Sequence, residues 1–150
     1  QRGFTVVELI MVTVILGVVA AYAAPRLLNL SDFYARGFHD ETLGYLRYAQ
    51  KTAIAHRRTV CIAFSANTLT LTLAAHSSAT TCTLPLNGST GSNTLTARSG
   101  TGYTPTPTAF GFNALGQPIN GSGTLVSTQT IQIATTTDIT VESNTGYVHD

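Results

Sequence analysis

A chain of 150 residues suffices for one domain and one anchor, with only a small core left after the anchor is set aside. Eight Lys+Arg against seven Asp+Glu give a net charge of +1, so overall charge supplies no argument for nucleic acid or an anionic membrane as partner. Two cysteines, without a CxxC or a paired His spacing, exclude the usual zinc frameworks.

Taken in order, residues 1–3 (Gln1, Arg2, Gly3) read as the end of a basic leader, and Arg2 fits a cytoplasmic amino terminus. Without Arg2 the remainder would be formally neutral, seven bases against seven acids. Residues 4–25 follow as an apolar run broken only by Thr5, Glu8, Thr13 and Gly17 before Pro25. As a helix this run is roughly 30 Å long, about one bilayer core. Hydropathy alone fits an ordinary transmembrane anchor with no small-residue cleavage site after it. Glu8 argues for more. A carboxylate inside hydrocarbon costs on the order of several kcal/mol and marks a function with a partner. Nothing on its own helix can pair with it, so the simplest partner is a cation from another copy of the chain.

The run Gly3-Phe4-Thr5-Val6-Val7-Glu8-Leu9 resembles the processing motif of type IV pilins and type II secretion pseudopilins. The resemblance implies leader cleavage between Gly3 and Phe4 by a membrane prepilin peptidase, N-methylation of Phe4, and pairing of Glu8 with the Phe4 amine of a neighbouring subunit. It places Pro25 as the family's first helix proline, so Phe4, Glu8 and Pro25 are the implied assembly residues. Three further segments are similar to the MshC-type minor pilins of MSHA pili, within the GspH/FimT-type group: residues 35–41, 46–51 and 57–61, of sequence ARGFHDE, LRYAQK and RRTVC. Residues 139–142 (ITVE) and 145–148 (TGYV) resemble that group's last strands. The implied fold is α+β: a long N-terminal helix, half membrane-embedded and half amphipathic, packed on an antiparallel sheet. The implied partners are other pilin subunits, the peptidase, the inner-membrane assembly platform, and the inner membrane itself before assembly. The domain would lie in the periplasm first and on a pilus or pseudopilus afterwards.

Residues 26–58 continue with a helical pattern. Leu43, Leu46, Ala49 and Ala53 recur at three- and four-residue spacing, with Arg36, Asp40, Arg47, Lys51 and Arg58 mostly on other faces. Asp40 and Glu41 precede Arg47 and Lys51, in the sense the helix dipole favours. A single helix over 4–57 would be roughly 80 Å long, with Pro25 expected to kink or open it and Gly37 and Gly44 as weaker points.

From residue 59 the period becomes two. Segments 59–64 and 69–73 read as strands joined by a turn at 65–67, with Thr68, Thr70 and Thr72 alternating with Leu69, Leu71 and Leu73. Residues 79–102 read as a long polar loop holding one strand near 94–98. Residues 110–112 read as a strand, 113–116 as a turn, 130–134 and 138–142 as a hairpin, and 146–149 as a last segment. The whole of 59–150 is expected to form one β-rich domain.

A translocated domain meets an oxidising compartment, so Cys61 and Cys82 are expected to form a disulfide. It would close a loop of 22 residues, counting both ends, and contribute about 3 kcal/mol in the chain-entropy account.

No catalytic constellation stands out. His39, His56, His76 and His149 are scattered, and no serine sits in a nucleophile elbow. Gly88, Gly91, Gly100 and Gly102 lack the strand–helix context of a phosphate loop. Tyr45 and Tyr48 read as packing residues, and Arg47, Lys51, Arg57 and Arg58 as a solvated basic face. The chain is therefore expected to be no enzyme, to hold no cofactor or metal, and to take no small-molecule substrate. The expected function is a structural subunit, a minor pilin or pseudopilin. The alternatives are the major subunit of its own filament, or a FimT-like DNA receptor. The receptor branch is associated with arginines after a C-terminal glycine, whereas Gly146 is followed here by Tyr147, Val148, His149 and Asp150. DNA is accordingly not the expected partner.

Overall fold

The computed structural model describes residues 3, 5–27 and 30–150. The chain divides into two compact units, Gln1–Phe33 and Tyr34–Asp150.

Helix α1, Val6–Leu27, is the body of the first unit. Valine, leucine, isoleucine and alanine occupy nearly every position, so the helix has no polar face. The helical backbone runs through Pro25, where a kink or opening was expected, as far as Leu27, the last residue described before position 30. The proline removes one ladder bond without ending the helix.

Helix α2, Leu30–His56, carries the second unit's layer of helix. Ala35, Phe38, Thr42, Leu46, Ala49 and Ala53 are buried along one stripe, and the exposed face holds Arg36, Asp40, Gly44, Arg47 and Lys51. Gly37 and Gly44 do not interrupt it. The helix closes in a Schellman arrangement: the Arg58 N–H donates to the Ala53 carbonyl at 3.2 Å and the Arg57 N–H to that of Ile54 at 3.3 Å. Arg57 itself has a left-handed backbone, φ 50°.

The larger sheet has six strands, all antiparallel. Strand β1 (Val60–Phe64) lies between β2 (Thr68–Ala74) and β5 (Phe110–Phe112). β2 pairs further with β3 (Cys82–Pro85) and β4 (Thr94–Thr96), and β5 pairs with β6 (Pro118–Ile119). The register sets Val60 opposite Leu73, Ile62 opposite Leu71 and Phe64 opposite Leu69, with Val60 also opposite Phe112 and Ile62 opposite Phe110. One face is therefore apolar, and it packs with the buried stripe of α2 in a single core.

A separate three-stranded antiparallel sheet, β7 (Gln129–Ile131), β8 (Ile139–Val141) and β9 (Val148–His149), adds Ile131, Ile139, Val141 and Val148 to that core. The fold is α+β, with an apolar N-terminal helix and a second helix packed on antiparallel sheets, the arrangement of the type IV pilin fold.

Two strands were not expected: β3 lies inside the segment read as loop, and β6 in a stretch given no assignment. β3 has three exposed residues and no alternation, and it is held by its pairing with β2, which carries a register shift at Leu73/Ala74. β6 is two residues long and begins with proline, tolerable only at a sheet edge. The hairpin expected over 130–142 is present but shorter, because Ile133 leaves the ladder to bridge Tyr103.

Three side chains fasten the second unit at its far end. Gln50 Nε2 donates to the carbonyls of Gly116 at 3.2 Å and Thr145 at 2.9 Å. Gln117 Nε2 donates to the Asn144 carbonyl at 3.0 Å, and Arg47 Nε to that of Val148 at 3.1 Å. Gly146 completes the junction. Its φ is 65°, and a Cβ there would stand 1.8 Å from the Gly116 oxygen.

Candidate processing and assembly site

The site begins with how α1 starts. Thr5 is not helical, but its carbonyl accepts the Leu9 N–H at 3.2 Å and its Oγ1 accepts the Glu8 N–H at 3.3 Å. Thr5 is therefore the N-cap and Glu8 the third helical residue, the spacing of a capping box. Sequence reasoning passed over Thr5, although Thr-x-x-Glu ahead of an apolar run is a recognised helix-start signal.

Gly3 precedes the cap, exposed and outside any helix. Phe4, the residue implied to be methylated, lies outside the described residues. Glu8 is exposed in the first turn and makes no ion pair among the described residues. From Val6 to Ala23 the helix is long and apolar enough to cross a membrane, and none of that window is buried. A carboxylate at the positive end of such a rod suits the helix dipole, and Arg26, the one Lys or Arg of α1, lies 18 residues away at its other end.

Cys61 and Cys82 are joined as a disulfide, with Cα atoms 6.0 Å apart. Cys61 alternates with the core-facing Val60 and Ile62, so the bond lies on the outer face of the larger sheet and ties β1 to β3 past β2.

The histidines do not converge. His39 is buried on α2, with Nδ1 3.2 Å from Asp40 Oδ1 and Nε2 3.5 Å from Thr137 Oγ1. Hydroxyl, imidazole and carboxylate thus stand in a row beside an open cleft that Arg36, Thr135, Thr136 and Asp150 also line. The hydroxyl contact is long, and the Asp40 side chain is 81% exposed, so water competes for the imidazole. The row serves as a contact between α2 and the β7–β8 turn. His149 meets Glu142 at 3.2 Å and stacks on Tyr147, while His56 and His76 are exposed elsewhere. Among the described residues, no three of His, Cys, Asp and Glu are grouped to hold a metal ion.

Tyr45 is buried and Tyr48 partly exposed. Tyr103, unmarked by sequence pattern, brings a hydroxyl into the core. Its hydroxyl shares a hydrogen bond of 3.0 Å with Thr42 on α2, and its ring lies against Phe38 and Phe64. Burial holds its ionisation well above the ordinary tyrosine range, with the Thr42 bond acting weakly the other way.

Comparison with known proteins gives one match. Residues 1–24 fit the family model of the prokaryotic N-terminal methylation motif. No curated protein and no solved structure matches the chain. The matched range contains Gly3, the Thr5 cap and Glu8, and it identifies the N-terminal segment as a type IV pilin-like prepilin signal.

Proposed function

We propose that the chain is a structural subunit, a minor pilin or pseudopilin, of a type IV pilus or type II secretion-like filament. The observation that carries this reading is Glu8, a carboxylate with no ion pair among the described residues, in the first turn of an apolar helix that opens with a methylation motif. The peptidase cuts between Gly3 and Phe4, and the new amine of Phe4 is methylated. The inner membrane holds the subunit through α1, with the β-rich unit in the periplasm. The assembly platform then moves it into the filament. Lipid and helix surroundings are equally apolar, so apolar burial alone selects little. Glu8 of an incoming chain meets the Phe4 amine of a docked one, and two charges that are costly apart relieve one another. Sequence likeness to MshC-type subunits supports a place in the GspH/FimT-type group.

Glu8→Val tests the reading. Leader cleavage and membrane insertion should stay at wild-type level, with mature chain beginning at N-methyl-Phe4 by mass spectrometry. The sheared-filament fraction should lose most of its chain on immunoblot. Normal incorporation of Glu8→Val would remove the pairing mechanism.

A further inference from the structure

The exposed face of α2 is electrically divided. Asp40 and Glu41 sit in its first half, with Arg36 the one base there within the second unit. Arg47 and Lys51 follow, and Arg57 and Arg58 lie just past its end. Asp150 lines the same cleft as Asp40 and adds to the acidic end. Lys51 is about 16 Å along the helix from Asp40, and Arg57 about 25 Å. Both separations exceed the screening length of about 8 Å at physiological salt, so the two ends barely feel one another within one chain. Among the described residues, no Lys or Arg lies within 4.0 Å of a carboxylate; both ion pairs belong to histidines.

The helix dipole does not account for this pattern. Its influence fades beyond the first and last turns, whereas Asp40 and Glu41 are eleven and twelve residues into a helix of 27. Arg57 supplies an independent sign. It occupies the left-handed closing position of the Schellman turn, where glycine is the favoured residue. An exposed side chain kept there against backbone preference points to a use for its charge.

We propose that Lys51, Arg57 and Arg58 dock against Asp40 and Glu41 of a second copy of the chain, so that successive copies stack head to tail along α2. The proposal rests on the filament reading above, in the form where the chain is a repeating subunit. Each contact joins unlike ends, so it leaves a free end on both copies and can repeat along a filament. The pairs are exposed and individually weak. Their effect is to choose register and partner rather than to supply the bulk of cohesion.

The test is a charge swap in the full chain, read as the share of leader-cleaved chain in sheared filaments, with thermal unfolding of each variant as the folding control. Lys51→Glu with Arg57→Glu should lower that share about tenfold, as should Asp40→Lys with Glu41→Lys, and a chain carrying all four changes should recover to within about twofold. Arg57→Gly should raise the unfolding temperature while lowering incorporation, which a merely structural role for Arg57 would not do. Unchanged incorporation of either reversed variant overturns the proposal. So does a four-change chain no better than its parents, which would instead assign the basic end to nucleic acid or anionic lipid. If these variants assemble normally while Glu8→Val does not, the docking fails and the filament reading stands. A wild-type chain absent from sheared filaments overturns both.

Discussion

The two helices are of similar length, 22 and 27 residues, and use their apolar side chains in opposite ways. α2 gathers Phe38, Leu46, Ala49 and Ala53 on one stripe and buries it against Ile62, Leu71, Phe112 and Val141 of its own chain. α1 distributes apolar residues all round and buries none of them from Val6 to Ala23. The first pattern is complete within one molecule. The second is complete only in a lipid or among other helices. The stability of the folded unit and the capacity to assemble should therefore be separable by mutation.

The sharpest separation comes from one leucine in each helix. Leu46→Ala in α2 should cost about 2–5 kcal/mol through lost burial and the cavity left behind, a large drop in unfolding temperature. Leu16→Ala in α1 should leave the unfolding temperature of the second unit unmoved, as read by circular dichroism in detergent. A large shift from Leu16→Ala would break the comparison.

Next in size is the disulfide. Replacing Cys61 and Cys82 together by serine should lower stability by about 3 kcal/mol and leave leader cleavage untouched. Unfolding in denaturant, beside an immunoblot for the cleaved form, checks both halves of that statement.

The smallest effect belongs to the cap. Thr5→Ala should cost about 1 kcal/mol of local helix stability, and Thr5→Ser should restore most of it, because only the hydroxyl is used. Hydrogen exchange of the amides of the first turn is the readout, and the second unit should show no change.

Much of this was legible in the chain. The unbroken apolar run, with Glu8 inside it, announced α1 because a charge in such a run has few meanings. The Thr/Leu alternation of 68–73 announced β2, since a period of two puts one face inward. β3 and β6 stayed hidden because pairing partners and a sheet edge hold them, with little pattern of their own. Tyr103 and Thr42 stand 61 positions apart, and nothing local marks them as partners. Arg57 was legible only as one more base on a solvated face, since no sequence pattern announces a left-handed arginine. Thr5 was readable as a cap and was overshadowed by the motif that contains it.

The junction at Gln50 has a consequence in time as well as in space. Gln50 and Arg47 reach carbonyls 95 and 101 positions further along the chain. Closing loops of that length carries an entropic cost that nearby contacts do not, so these bonds belong to the late part of folding. Residues 145–149 follow the strands they cover, and until they dock Ile131, Ile139 and Val141 lack their final cover. A subunit released before β9 docks would present an open strand edge beside an apolar face, the kind of surface that pairs with the wrong neighbour. Docking of β9 is thus the step that separates the folded unit from a form still able to aggregate.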